Sequence, residues 1–341
     1  VLLFILALFF GITAVAQQDS ASKPEFNILP VVFFLPETGK YINMWDTIDI
    51  GLDPEYLATT PTDVQLISKP EIQQMYKGRS QYTHKGMFGH SLIIGGSFGK
   101  MGAVQLASKA ALRAGSGLVT AYVPQIGVPI LQTALPEVMV EGVAETETGS
   151  ISESAYERID ELSAKADVIG IGSGLGSDEG STRNLVRKVV EERKTPVVID
   201  ADGLNALSPF DLEGAETPPL ILTPHEGEFL RLLGTDDKDV LKDRVQAVRD
   251  FAEKHNVILV LKGERTLIGE PGGKVVINPT GNSGLGKAGN GDNFTGIITG
   301  FVAQAVQMDV NVFETVVAAV YIAGLAGDFA EKKFGKRTML A

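Results

Sequence analysis

Cysteine is absent from the 341-residue chain, and histidine occurs only four times. The lack of cysteine excludes a disulfide framework, a thiolate metal site and a cysteine nucleophile, and it fits a reducing compartment. The histidines stand at His84, His90, His225 and His255, too far apart in sequence to indicate a zinc cluster. We therefore predict no metal site built from the protein's own side chains.

Basic residues are also in short supply, with 30 Lys and Arg against 42 Asp and Glu and a net charge of -12. This balance argues against binding of nucleic acid or of an anionic membrane through a general basic surface. An anionic ligand must instead be held by local geometry. At a prior of about 150 residues per domain, the chain holds roughly two domains.

The N-terminal residues 1–16 are apolar and carry no charge, and polar residues begin at Gln17. The run is shorter than the ~20 residues that span a bilayer, and no basic residue precedes it. Residues 1–16 have three interpretations: an export signal, a fragment or start-site artefact, or a buried strand. We treat residues 1–25 as an apolar leader or fragment, and we expect a cytoplasmic protein without stable membrane association.

From Phe26 to Ser68 short apolar runs alternate with proline and glycine, which predicts a hairpin or two strands followed by a linker. Beyond Thr83, nearly all-apolar runs alternate with helical stretches, a pattern typical of a parallel α/β sheet covered on both faces. The apolar runs begin at Ser91, Gly117, Asp167, Pro196, Pro219 and Asn256. A hairpin from Thr266 and two helices, 291–306 and 310–329, complete the larger domain, residues 72–341.

Each predicted strand runs into a polar or glycine-rich turn: GGSFG, GSGLGSD, DADGLN, TPHEGE and KGERT. One such turn is a weak signal, because glycine more often serves a tight turn than a ligand. Ligands of open parallel sheets gather beyond the carboxyl ends of the strands, where all these turns would meet. We therefore expect the functional site at this rim.

The stretch 281–296, GNSGLGKAGNGDNFTG, places five glycines ahead of a helix. Glycine amides and a helix N-terminus favour a phosphate. The stretch is not a P-loop, because no Ser or Thr follows Lys287. Asp292, in the first helical turn, is either a helix-capping carboxylate or the acceptor of a proton from a hydroxyl that takes part in phosphoryl transfer.

From about His84 onward the chain resembles the ADP- or ATP-dependent NAD(P)H-hydrate dehydratases of the ribokinase-like superfamily. The matching words are THKGMFGHSLIIGGSFGKMGA, LPEVMV, IGIGSGLGSD, VVIDADGLNAL, LTPHEGEF, VLKGERTLI and GNSGLGKAGNGD. The resemblance implies a layered α/β fold with a central, mostly parallel sheet flanked by helices. Residues 26–68 are similar to the closing strands of an NAD(P)H-hydrate epimerase domain. We expect no epimerase activity, because about 25 upstream residues are fewer than the roughly 30 that one βαβ unit takes.

The implied activity is repair: (6S)-hydrated NADH and NADPH return to NADH and NADPH through phosphorylation and elimination of the C6 hydroxyl. The resemblance implies ADP or ATP as phosphoryl donor, accompanying Mg²⁺ and a homotetramer. Two other functions stay open, a small-molecule kinase of the same superfamily and a non-catalytic nucleotide-binding protein.

The resemblance also assigns site residues. Asp292 would act as catalytic base and contact the substrate, together with Ala103, Gly174 and His225. The nucleotide would contact Lys262, Gly263, Glu264, Arg265, Thr266, Gly289, Asn290 and Gly291. Three of these have a plainer interpretation: Ala103 as a small residue for helix packing, His225 as a tie within its turn, and Lys262 as a solvated strand end. Asn290 departs from the family, which usually has a small or hydroxyl residue there.

Overall fold

The computed structural model describes residues 62, 64–75, 78–176, 179–215 and 218–341. The strands are β1 Val64–Leu66, β2 His90–Ile94, β3 Leu118–Pro124, β4 Met139–Val143, β5 Val168–Ile171, β6 Val197–Ile199, β7 Leu220–Leu222, β8 Ile258–Leu261, β9 Thr266–Gly269 and β10 Val275–Asn278. The α-helices are α1 Lys69–Met75, α2 Met101–Ala114, α3 Val128–Ala134, α4 Tyr156–Ser163, α5 Glu179–Glu191, α6 Asp202–Ala206, α7 Glu226–Leu233, α8 Arg244–His255, α9 Asn290–Met308 and α10 Val312–Phe334.

The strands form one ten-stranded sheet in the order β1-β10-β9-β8-β7-β6-β5-β2-β3-β4. All neighbouring pairs are parallel except the two that involve β9, which forms the predicted hairpin with β10. The chain runs outward from β2 to β4 and then returns to the other side of β2 at β5. The predicted mostly parallel sheet flanked by helices is therefore confirmed, and its topological switch point lies between β2 and β5.

Strands β5 to β8 are buried along their whole length because helices cover both faces of the sheet. Alternate residues point to opposite faces. Val168, Val198, Ile221 and Val260 pack with α9 and α10, whereas Ile169, Ile199, Leu222 and Leu259 pack in the cluster that includes residues of α4, α5, α7 and α8.

Helix α9 packs against α2 with its backbone. A Cβ atom placed on Gly296 would lie 2.1 Å from the carbonyl oxygen of Ala107, and one on Gly300 would lie 2.6 Å from that of Ala111. The stripe of small residues on α2 thus accepts the glycines of α9. The contact holds α9 with its N-terminus at the rim of the sheet.

Helix α10 has the length and apolar composition of a membrane-spanning helix, by those two criteria alone. More than half of its most apolar window, 56%, is buried within the fold, against the same sheet face as α9. Core helices of globular proteins commonly have this composition.

The structure adds elements that the sequence pattern did not predict, among them β4, α3 and α7. Residues 238–255 form a 3₁₀ turn, Lys238–Leu241, followed by α8, and the Asp243 side chain caps α8 by accepting from the amide of Gln246 at 2.9 Å. Strand β1, at the end of the predicted segment 26–68, pairs with β10 in the main sheet. Residues 26–61 and 63 of that segment and the predicted leader 1–25 lie outside the described residues, and the domain division stays a prediction.

Because Gly296 has no room for a side chain, Gly296→Ala should lower the free energy of unfolding by about 1–3 kcal/mol. Gly180→Ala is the matched control, since a Cβ atom at Gly180 in α5 meets nothing within 4 Å. Urea denaturation of both variants measures the difference. Equal stability of the two variants would contradict the close α9–α2 contact.

Candidate functional site

Polar residues follow β2, β5, β6, β7 and β8 at the same edge of the sheet, and the N-terminus of α9 faces them. A Cβ atom placed on Gly291 would lie 3.6 Å from Oδ2 of Asp200 and 4.0 Å from Nζ of Lys262. Asp200 follows β6 and Lys262 follows β8. The structure thus brings together two predicted site residues, Lys262 and Gly291, and adds Asp200.

Helix α9 begins without a side-chain cap. Its N-cap residue is Gly289, in the left-handed region at φ 85°, and no side-chain hydrogen bond caps the helix there. The first amides of a helix have no intrahelical partner and bind anions well. Asn290 and Gly291 form the first positions of α9, and the amide of Asn290 donates to the carbonyl of Lys287 at 3.3 Å. Phosphate binding at this turn stays a prediction.

Asp292 lies in this first turn and is partly buried. Burial raises the pKa of its carboxyl above the ordinary value, and the negative charges of Asp200 and Asp202 add to that rise. The neighbouring Ser173 hydroxyl and the Lys262 ammonium act in the opposite direction. A carboxylate with a raised pKa is a better proton acceptor than one in water.

The carboxylate of Asp200 is 2% exposed and has a partner for each oxygen. Lys262 donates from Nζ to Oδ1 at 2.6 Å, and Thr295 donates from Oγ1 to Oδ2 at 2.8 Å. Lys262 Nζ also lies 3.8 Å from Oε2 of Glu228. The interpretation of Lys262 as a solvated strand end therefore does not hold. The sequence pattern predicts the DADGLN turn but not the role of Asp200. The signal for Asp200 in the sequence is a carboxylate directly after an all-apolar strand.

The chain turns sharply between Asp200 and Asp202. Ala201 has φ 49° and ψ -120°, a conformation that residues with a side chain rarely adopt. Asp202 accepts a hydrogen bond from the amide of Gly176 at 3.0 Å and lies 3.5 Å from Nζ of Lys100. Backbone strain at Ala201 thus directs two carboxylates toward the rim.

Replacing Ala201 with glycine should remove this strain. We expect Ala201→Gly to raise the free energy of unfolding by about 1 kcal/mol, since strain of ~1–3 kcal/mol exceeds the extra entropy of glycine in the unfolded chain. Chemical denaturation measures the change, with Ala155→Gly as a control at a residue of ordinary φ -71°. A loss of stability at both positions would contradict the strain.

His225 is the N-cap residue of α7. Its Nδ1 accepts a hydrogen bond from the amide of Glu228 at 3.1 Å, and Oε2 of Glu228 accepts one from the amide of His225 at 2.8 Å. His225 thus ties its turn through an amide, in a reciprocal capping arrangement. Because Nδ1 is the acceptor, the proton of the neutral ring is on Nε2. The side chain is 55% exposed, and Nε2 lies 3.5 Å from Oε1 of Glu228.

Ala103 and Gly174 lie next to each other at the switch point. A Cβ atom on Gly174 would lie 3.0 Å from the Cβ of Ala103, and the Gly174 carbonyl accepts a hydrogen bond from Ser97 at 2.9 Å. Ser173, adjacent to Gly174, is one of the groups that influence Asp292. Two of the predicted substrate contacts therefore lie beside Ser173, whose hydroxyl neighbours Asp292.

The turn between β8 and β9 carries the remaining predicted nucleotide contacts. Gly263 and Glu264 are exposed, whereas Thr266 pairs with Asn278 in the hairpin. Arg265 donates from Nη1 to the carbonyl of Pro279 at 3.1 Å. The turn is thus built on the hairpin and follows directly from Lys262.

The glycine loop ahead of α9 is held from the C-terminal side of the chain. Asp328 in α10 accepts hydrogen bonds from the amide of Gly281 and from Nδ2 of Asn282, each at 3.0 Å. Lys287 donates from Nζ to the carbonyls of Arg337 and Met339 at 2.7 Å and 2.6 Å. Lys287 therefore anchors the loop to the C-terminal segment, unlike the lysine of a P-loop, which contacts phosphate.

Solved structures with the same architecture define the class of protein. A ribokinase-like superfamily protein from Enterococcus faecalis is 27% identical with a TM-score of 0.67, over 80% of this chain and 90% of its own. An ADP/ATP-dependent NAD(P)H-hydrate dehydratase from Bacillus subtilis, co-crystallised with ATP/Mg²⁺, is 29% identical with a TM-score of 0.67, over 80% and 92%. The fold is ribokinase-like.

Sequence comparison then gives the family. The family model for NAD(P)H-hydrate dehydratase matches residues 91–341. The ADP-dependent (S)-NAD(P)H-hydrate dehydratase of Neisseria meningitidis is 36% identical over 76% of this chain and 83% of its own. The bifunctional NAD(P)H-hydrate repair enzyme Nnr of Moorella thermoacetica is 38% identical over 91% of this chain, which spans 59% of that relative's length. The chain belongs to the NAD(P)H-hydrate dehydratase family.

Proposed function

We propose that this chain dehydrates (6S)-hydrated NADH and NADPH to NADH and NADPH, with ADP or ATP as phosphoryl donor. The observation that carries the proposal is Asp292, a carboxylate with a raised pKa in the first turn of a helix that has no side-chain cap. Family membership supports the substrate class.

The chemistry needs a proton acceptor and an anion site close together. Hydroxide is a poor leaving group, so the C6 hydroxyl first attacks the terminal phosphoryl group of the nucleotide. Asp292 takes the hydroxyl proton as the new P–O bond forms and the bond from the transferred phosphoryl group to the departing ADP (from ATP) or AMP (from ADP) breaks. The lone pair of the ring nitrogen then expels the phosphate, and loss of a ring proton restores the dihydronicotinamide. The amides of Gly289 to Gly291 hold the phosphates in this scheme.

The other assigned residues surround these groups. Ala103, Gly174 and His225 would contact the hydrated dinucleotide, and the turn from Lys262 to Thr266 would contact the nucleotide. The small size of Ala103 and Gly174 and the exposed side chain of His225 are compatible with this role.

Mg²⁺ would enter with the nucleotide. Among the described residues no group of three acidic or histidine side chains could hold a metal ion. Glu226 lies 3.4 Å from Nε of Arg244, and Glu228 caps α7. The donor set therefore fits an ion bound mainly by phosphate oxygens and water, which Mg²⁺ prefers, and which neutralises phosphate charge. A homotetramer and a cytoplasmic location stay predictions, and light scattering tests the first.

Asp292→Asn should abolish repair and leave nucleotide binding nearly intact. Loss of a positioned base typically costs ~10²- to 10⁴-fold in rate, whereas the backbone amides that hold phosphate are unchanged. Recovery of reduced-nicotinamide absorbance from hydrated NADH, with ADP and ATP supplied in turn, measures activity. Calorimetry measures nucleotide affinity.

The same variant has a stability signature. The folded pKa of Asp292 lies above its unfolded value, so its ionised form destabilises the fold at neutral pH, and this cost disappears below the unfolded pKa. Asp292→Asn should therefore have a higher melting temperature than the wild type at pH ~7. At pH ~3, below the unfolded pKa of ~3.9, the two melting temperatures should be equal.

Three outcomes would count against the proposal. Wild-type turnover by the variant would make Asp292 dispensable. A stable phosphorylated product would identify a small-molecule kinase of the same superfamily. Nucleotide binding without any turnover of hydrated NADH or NADPH by the wild type would identify a non-catalytic protein.

A further inference from the structure

The N-terminal turn of α9 meets the sheet through one buried carboxylate. Asp200 follows β6, Lys262 follows β8 and Thr295 lies one turn beyond Gly291 in α9. The two oxygens of Asp200 accept from Lys262 Nζ at 2.6 Å and from Thr295 Oγ1 at 2.8 Å. Three separate elements are thus joined at a single side chain.

We propose that Asp200 is a positioning residue that holds Lys262 and Thr295 so that Gly291 and Asp292 stand correctly at the rim. This inference rests on the proposed function for its kinetic consequences. The relation of Asp200 to α9 and to Asp292 does not depend on that function.

Stability alone does not account for such an arrangement. Ionised side chains are costly to bury, and a buried ion pair often contributes no more to stability than apolar residues of similar volume. Asp200 also follows directly on buried β6 and precedes the strained Ala201. A buried charge, a strained neighbour and a site helix meet at one place, which is typical of a functional arrangement.

The charges around Asp292 predict how the site responds when Asp200 is neutralised. The groups that influence it are Asp200, Asp202, Lys262 and Ser173, and Asp202 is itself 3.5 Å from Lys100. Asp200→Asn removes one negative charge and releases the Lys262 ammonium from its nearest partner. Both changes favour the ionised form of Asp292, so its pKa should fall.

The experiment follows the carboxyl of Asp292 by ¹³C NMR titration of the full chain, with Asp292→Asn to assign the signal. We expect Asp200→Asn to lower the pKa of Asp292 and to move the acid limb of kcat/KM to lower pH. Asp160→Asn is the matched control, because it also breaks a Lys–Asp pair, with Lys194 at 2.9 Å on the surface. A folded Asp200→Asn variant with the wild-type Asp292 pKa would overturn the proposal.

Thr295 provides a second test that does not depend on the folding of Asp200→Asn. Thr295→Val removes the hydroxyl that ties α9 to Asp200, and we expect kcat to fall about tenfold to a hundredfold, as for a slightly misplaced catalytic group. Thr295→Ser restores the hydroxyl and should restore kcat. A Thr295→Val variant with a lowered melting temperature but wild-type kcat at permissive temperature would show a merely structural contact and overturn the proposal.

The two readouts separate this inference from the proposed function. If the wild-type chain does not dehydrate hydrated NADH, the proposed function fails, but the titration of Asp292 still tests Asp200. If dehydration occurs and the pKa of Asp292 is unmoved in Asp200→Asn, the proposed function stands and the positioning role fails.

Discussion

The candidate site depends on the contact between α9 and α2, because this contact sets the position of the first turn of α9. Two helices approach this closely only where one presents glycine and the other presents small residues, as Gly296 and Gly300 do against Ala107 and Ala111. Close-packed backbones leave little freedom to slide or rotate. The first turn of α9 is therefore held at the rim of the sheet, and the amides of the short loop ahead of it lie there as well.

Much of this could be predicted from the sequence, because it depends on local pattern. All-apolar runs such as the one that precedes Asp200 are typical of strands covered on both faces, and their alternation with helices indicates a parallel sheet. The glycines before Asp292 likewise indicate a helix start, which the structure places at Asn290. The resemblance to a family added the order of the motifs and the assigned contacts, and the fold agrees with that order.

The remainder depends on contacts between residues far apart in the chain, which local pattern does not encode. Asp200 and Lys262 are 62 residues apart, and Asp200 and Thr295 are 95 apart, so neither partner is visible from its own surroundings. The short helix α7 was missed because its cap is a histidine rather than one of the usual capping residues. Local pattern also does not show what burial and the neighbouring carboxylates do to Asp292, which is to raise the pKa of its carboxyl.

The anchoring of Lys287 to the carbonyls of Arg337 and Met339 has a consequence for how this region opens. These hydrogen bonds and those of Asp328 tie the glycine loop to α10 and to the C-terminal segment, so we expect its local unfolding to follow theirs. The glycine loop and the C-terminal segment should exchange their amide hydrogens as one cooperative unit. Loosening of the C-terminal segment would then also loosen the loop ahead of α9, because Lys287 joins the two.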